Sequence, residues 1–268
     1  MIDFTTAFLD LLATTFVPGC TGILASTLVK VSRSRRLAAY GFGIFLWYFS
    51  DGLGASAYLG VNSGLSGGNG QLALVTLFVV GGLAFFAVDA RVSPRLEGPA
   101  KGASLSTVVL VSLALSLHGA GEGADFGALS SSISATTIVA ELGGYGPAIS
   151  YVLHKILEAV MIGAVYASLP GGTDRGGRLR NSVLLALILT IPSLVGLSMS
   201  YYFSFDTTYL FAVGTGASAY AGLMLVRPLF NSQFLGSNLE YLKQALLLLL
   251  GFISIYFAAL LHSTPVGY

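Results

Sequence analysis

The chain has 268 residues, 54% of them hydrophobic and only 9% charged, with a mean hydropathy of +0.81. Soluble domains carry about 25% charged residues, so this composition excludes an ordinary soluble domain and implies an all-α polytopic membrane protein. A formal net charge of +1 without a basic arm argues against a nucleic-acid partner, and the lone Cys20 excludes an intrachain disulfide or a thiolate metal cage.

Hydropathy predicts eight transmembrane helices in one domain over 1–268: Phe4–Val29, Leu37–Leu59, Gln71–Asp89, Leu105–Ser130, Pro147–Leu169, Asn181–Tyr202, Thr207–Val226 and Leu239–Leu261. Met1-Ile2-Asp3 precedes the first span without a basic n-region, so no cleaved signal peptide is expected. Pro18 and Pro192 are expected to kink the first and sixth spans. The 34 glycines suggest helices in close backbone contact. Trp47 and the other aromatics read mostly as lipid-facing or interfacial residues.

Charge orients the chain. Lys30, Arg33, Arg35 and Arg36 follow the first span, Arg91, Arg95 and Lys101 the third, and Arg175, Arg178 and Arg180 the fifth. Arg227 and Lys243 flank the last connection, so twelve of thirteen basic residues fall on one side, which the positive-inside rule makes cytoplasmic. The expected location is the cell membrane, with both termini outside. An even number of spans also permits a 3+2+3 inverted repeat, in which Gly41-Phe42-Gly43 and Gly214-Thr215-Gly216 occupy matching places.

The chemistry concentrates in the fourth and fifth spans. Leu117-His118-Gly119-Ala120-Gly121-Glu122-Gly123-Ala124-Asp125 and Leu153-His154-Lys155-Ile156-Leu157-Glu158 each place His and Glu four residues apart, on one helical face. Asp125 returns to within about 20° of His118, two turns along. A charged group at a helix centre costs about 2.5–3.5 kcal/mol to insert, so such residues imply a partner, an ion or a water-filled path. Two imidazoles and two carboxylates, His118, Glu122, His154 and Glu158, suit a borderline divalent ion such as Zn²⁺ or Fe²⁺. The plainer alternative is a set of ion pairs joining two helices, with Lys155 neutralising Glu122 or Glu158. Gly119, Gly123 and Gly127 form a ladder beside the stripe, expected to let the fifth span approach closely. Asp51 reads as an acidic group near the outer mouth that draws cations in, or as a hydrogen-bonding residue. Asp89 reads as a solvated helix-end residue beside Arg91. Glu141, Asp206 and His262 read as exterior residues without a role.

At these residues the sequence resembles the ZIP (Zrt-, Irt-like protein) family of divalent metal transporters. That family carries a His-Asn-x-x-Glu/Asp-Gly motif in the fourth of eight spans and a His-Glu-x-Pro-x-Glu-like motif in the fifth. His118-Gly119-Ala120-Gly121-Glu122-Gly123 and His154-Lys155-Ile156-Leu157-Glu158 stand in those places, and Gly43-Ile44-Phe45-Leu46 with Asp51, and Gly214-Thr215 with Tyr220, look like its second and seventh spans. The resemblance implies movement of Zn²⁺, Fe²⁺ or related ions into the cytoplasm, often by a homodimer. It maps His118, Glu122, His154 and Glu158 onto the transported-metal site. A second metal would need Asn at 119 and a carboxylate at 155; here stand Gly119 and Lys155, whose ammonium cannot ligate metal while protonated. Lys155 is therefore expected to take the place of the second ion, paired with both glutamates in space left by Gly119.

The expected function is thus ion transport without covalent chemistry or a resident cofactor. The partners are the divalent ion, the bilayer and a second copy of the chain. Asp125 is an auxiliary ligand or a step on the exit path. The competing reading is an intramembrane metal-dependent hydrolase with Asp125 as general base. A retinylidene protein using Lys155 leaves both His-xxx-Glu turns unexplained.

Overall fold

The structure is a computed structural model. It describes residues 2–28, 34–62, 69–96, 105–133, 137–167, 175–204, 206–229 and 238–260. Among these residues there are helices and no strand, as the alternation of long apolar runs and short polar connections requires. The helices are α1 (Phe4–Thr27), α2 (Ser34–Asn62), α3 (Asn69–Leu96), α4 (Leu105–Ser132), α5 (Ile138–Glu141), α6 (Tyr145–Ala167), α7 (Arg175–Tyr202), α8 (Thr208–Leu229) and α9 (Asn238–Leu260).

Six of them, α1, α3 over Leu72–Arg91, α4, α6, α7 and α9, are long and apolar enough to cross a membrane. The 29-residue α2 and 22-residue α8 pack among them. Several helices overrun their apolar stretches: α3 continues past Asp89 to Leu96, and α7 starts at Arg175 rather than Asn181. Hydropathy marks only the apolar part of a helix, whereas the helical backbone continues into the polar flank. Both α1 and α7 run unbroken through Pro18 and Pro192.

One element goes beyond the hydropathy pattern. The connection from α4 to α6 contains the single-turn α5, capped by the Thr137 side chain, which accepts from the Ala140 N–H. The chain leaves it through Gly143 and Gly144 at φ 85° and 115°, a backbone region that residues with a Cβ rarely adopt.

The helices pair in a crossed pattern. The fourth helix packs chiefly on α7 and then α8, while α6 packs chiefly on α1 and then α2; α2 lies on α9 and α3 on α8. Glycines set the closest approaches. A Cβ on Gly43 would fall on the Leu248 carbonyl of α9, and one on Gly216 on the Phe78 carbonyl of α3. Gly41 faces Met161 of α6, and Gly214 faces the His118 backbone of α4.

The Gly119, Gly123 and Gly127 ladder does not face α6, contrary to the sequence expectation. A Cβ on Gly123 would fall on the Ser193 carbonyl and one on Gly127 on the Leu197 carbonyl, so the ladder seats α7. The reason is angular: position 119 lies about 100° round the helix from His118, which turns the ladder away from the His/Glu stripe. The tight seam of α6 is instead with α1, where Gly22 lies against the Ile156 carbonyl and Ala159, and Gly163 against Ser26.

Candidate metal centre

Between α4 and α6 the two His-xxx-Glu turns meet around Lys155. This side chain is 4% exposed, and its ammonium donates to Glu122 Oε2 and, at 2.9 Å, to Glu158 Oε2. The Tyr151 ring, one turn back on α6, lies 5.6 Å from Nζ and adds its π face. Each glutamate therefore gives one oxygen to the ammonium and turns the other to the histidine of its own helix. Glu158 Oε1 lies 3.0 Å from His154 Nε2, and Glu122 Oε1 lies 4.0 Å from His118 Nε2.

Ligand atoms of Glu122, His154 and Glu158 all lie within 4.8 Å of one another, a spacing that one ion can span. His118 stands outside this triad, on the side of Glu122 facing α2, with Nε2 3.9 Å from Asp51 Oδ2. The structure thus brings three of the four expected ligands into one group and places the fourth beside it. Among the described residues, His118 Nε2 and Glu158 Oε1 are buried and make no hydrogen bond, although each faces the other member of its own His–Glu turn. A buried polar atom left in that condition costs about 1–3 kcal/mol, so both mark positions suited to a ligand.

The second helix shapes both histidines. Trp47, expected at the lipid face, is buried and stands edge-on to His154, with ring centroids 5.3 Å apart and planes at 82°. Tyr48 covers His118 at 4.4 Å and is fixed by donating its hydroxyl to the Leu115 carbonyl at 2.5 Å. Phe211 of α8 closes the other side of His118 at 5.0 Å. Hydropathy alone hides these rings, since an aromatic on a spanning helix suits lipid and core equally. A signal was present: Trp47 and Tyr48 lie four and three residues before Asp51, on the same helical face.

A polar cavity with room for about one water adjoins the pair, lined by Thr15, Tyr48, Ser116, Gly119, Lys155, Glu158 and Ser193. Gly119 and Lys155 thus border one space. Asp125 lies on the exposed side of α4 and hydrogen-bonds with Thr207, just before α8. Asp89 is not a free helix end: α3 continues past it, and its carboxylate accepts the Tyr220 hydroxyl of α8 at 2.5 Å. Asp206 caps α8 by accepting from the Thr208 N–H. The side chain of Glu141 and residue His262 lie outside the described residues, as do Lys30, Arg33 and Lys101. No family model and no curated protein matches the chain.

Proposed function

We propose that this protein carries a divalent cation of the Zn²⁺ or Fe²⁺ type across the membrane through the site between α4 and α6. The observation that carries the reading is the clustering of Glu122, His154 and Glu158 ligand atoms within 4.8 Å, between two apolar helices. Mixed imidazole and carboxylate donors suit a borderline ion, and the ammonium of Lys155 holds both carboxylates in place. His118 is the fourth ligand, reached as the ion enters beside α2. The ion arrives from outside, exchanges part of its hydration shell for these four groups, and leaves toward the basic cytoplasmic face.

On this reading the chain is a divergent ZIP-type transporter of eight spans with both termini outside, acting as a homodimer. Lys155 occupies the place of a second metal. The crossed helix pairing supports an inverted repeat. Exchanging α1, α2, α3 and α4 with α7, α8, α9 and α6 turns the α1–α6 contact into α7–α4 and α2–α9 into α8–α3. The same exchange carries Gly41 and Gly43 onto Gly214 and Gly216 with equivalent neighbours. Rocking of two such halves about α4 and α6 gives alternating access.

The test is uptake of a panel of divalent ions into proteoliposomes holding the purified protein, beside a Glu122→Ala/Glu158→Ala control. Saturable uptake abolished in the control is expected. Metal binding without uptake would overturn the transporter reading in favour of an intramembrane enzyme or a sensor.

A further inference from the structure

Building on that reading, we infer that Asp51 is a specificity-determining residue of the site: its carboxylate supplies the second net negative charge that selects a dication. Glu122 and Glu158 bring two negative charges, and the Lys155 ammonium bonded to both removes one. With neutral imidazoles, as ligation requires, the centre between α4 and α6 retains a single negative charge. A monovalent ion would balance that centre, whereas a dication would leave a positive charge in a largely apolar environment. Asp51 restores the match.

The geometry places it to do so. Its Oδ2 lies 3.9 Å from His118 Nε2, a buried atom without a hydrogen-bond partner among the described residues that faces both Asp51 and, at 4.0 Å, Glu122 Oε1. His118 is 1% exposed and clamped between the Tyr48 and Phe211 rings, so it presents this nitrogen in a fixed direction. The approach of α2 depends on Gly52, where a Cβ would meet Thr215 Oγ1 at 2.6 Å and His118 Nδ1 at 3.1 Å. Asp125, the other carboxylate on α4, hydrogen-bonds instead with Thr207. Asp51 is also the most exposed member of the set, at 43% against 18% or less for the others.

The experiment measures Zn²⁺ affinity of the purified full-length protein in detergent, at fixed pH and ionic strength, for wild type and three variants. Asp51→Asn keeps shape and removes charge, and is expected to weaken Zn²⁺ binding by about 10- to 100-fold. Asp51→Glu keeps the charge and is expected to stay within about threefold of wild type. In Asp51→Asn/Lys155→Met the net charge returns to that of the wild type, and affinity is expected to recover. Unchanged affinity in Asp51→Asn overturns the inference and leaves the metal site standing. Equal losses in Asp51→Asn and Asp51→Glu overturn the charge argument without needing the double variant. Absence of Zn²⁺ binding in the wild type removes the underlying site reading itself.

Discussion

Lys155 donates to two buried carboxylates on different helices, and the consequences of removing it can be stated in advance. Breaking one side of a buried ion pair costs about 3–5 kcal/mol because the remaining charge loses its partner. Lys155→Met should therefore lower the thermal stability of the metal-free protein in detergent, and micromolar Zn²⁺ should restore much of the loss. A variant as stable as wild type without metal would mean that the ammonium bonds to the two glutamates contribute nothing to the fold. The sequence made the His-xxx-Glu turns legible, because four-residue spacing fixes a helical face whatever the helix packs on. It did not reveal that Asp51 stands at His118 or that Trp47 stands at His154. Those meetings depend on which side of α2 turns inward, and an apolar helix surrounded by lipid and protein carries little polar asymmetry to show it.

At the scale of elements, the helices were readable and their partners were not. Long apolar runs demand helices in a bilayer, but a glycine ladder says only that something comes close. Here that neighbour is α7. Gly123→Ala would place a methyl on the Ser193 carbonyl, so it should destabilise the fold by about 1–3 kcal/mol, as overpacking does. Gly54→Ala provides the contrast: nothing among the described residues lies within 4 Å of its added Cβ, and α2 should gain about 0.5–1 kcal/mol. Thermal unfolding of both variants in one detergent decides the matter; equal shifts would contradict the α4–α7 seam. The single turn of α5 escaped the hydropathy pattern because four residues held by a threonine cap and two positive-φ glycines bury too little apolar surface to leave a periodic signal.

For the whole molecule, the bias of basic residues predicts which ends face the cytoplasm. In a Cys20→Ser background, a cysteine replacing Asp3 should react with a membrane-impermeant maleimide in intact cells. One replacing the exposed Arg91 should react only after permeabilisation. The reverse pattern would invert the orientation and, with it, the direction of the proposed ion movement. Such labelling also tests the proposed inverted repeat, in which two sets of three helices face opposite sides of the membrane, a relation that weak local similarity left faint in sequence. In three dimensions Gly41 and Gly214 approach α6 and α4, and Gly43 and Gly216 approach α9 and α3, which supports the proposed repeat.

The proposed carrier has a return stroke, in which the protein must reset without its cargo. Carboxylates stripped of a metal would normally make that stroke costly, since bare charge resists passage through an apolar constriction. The ammonium of Lys155 is a cation that never dissociates from the chain. By keeping hold of Glu122 and Glu158 after the ion departs, it leaves the Glu122–Lys155–Glu158 group, apart from Asp51, one charge from neutral. On the proposed transport reading, cargo release and resetting are thereby separated: the first is set by ligands that exchange with water, the second by a counter-ion that travels with the protein.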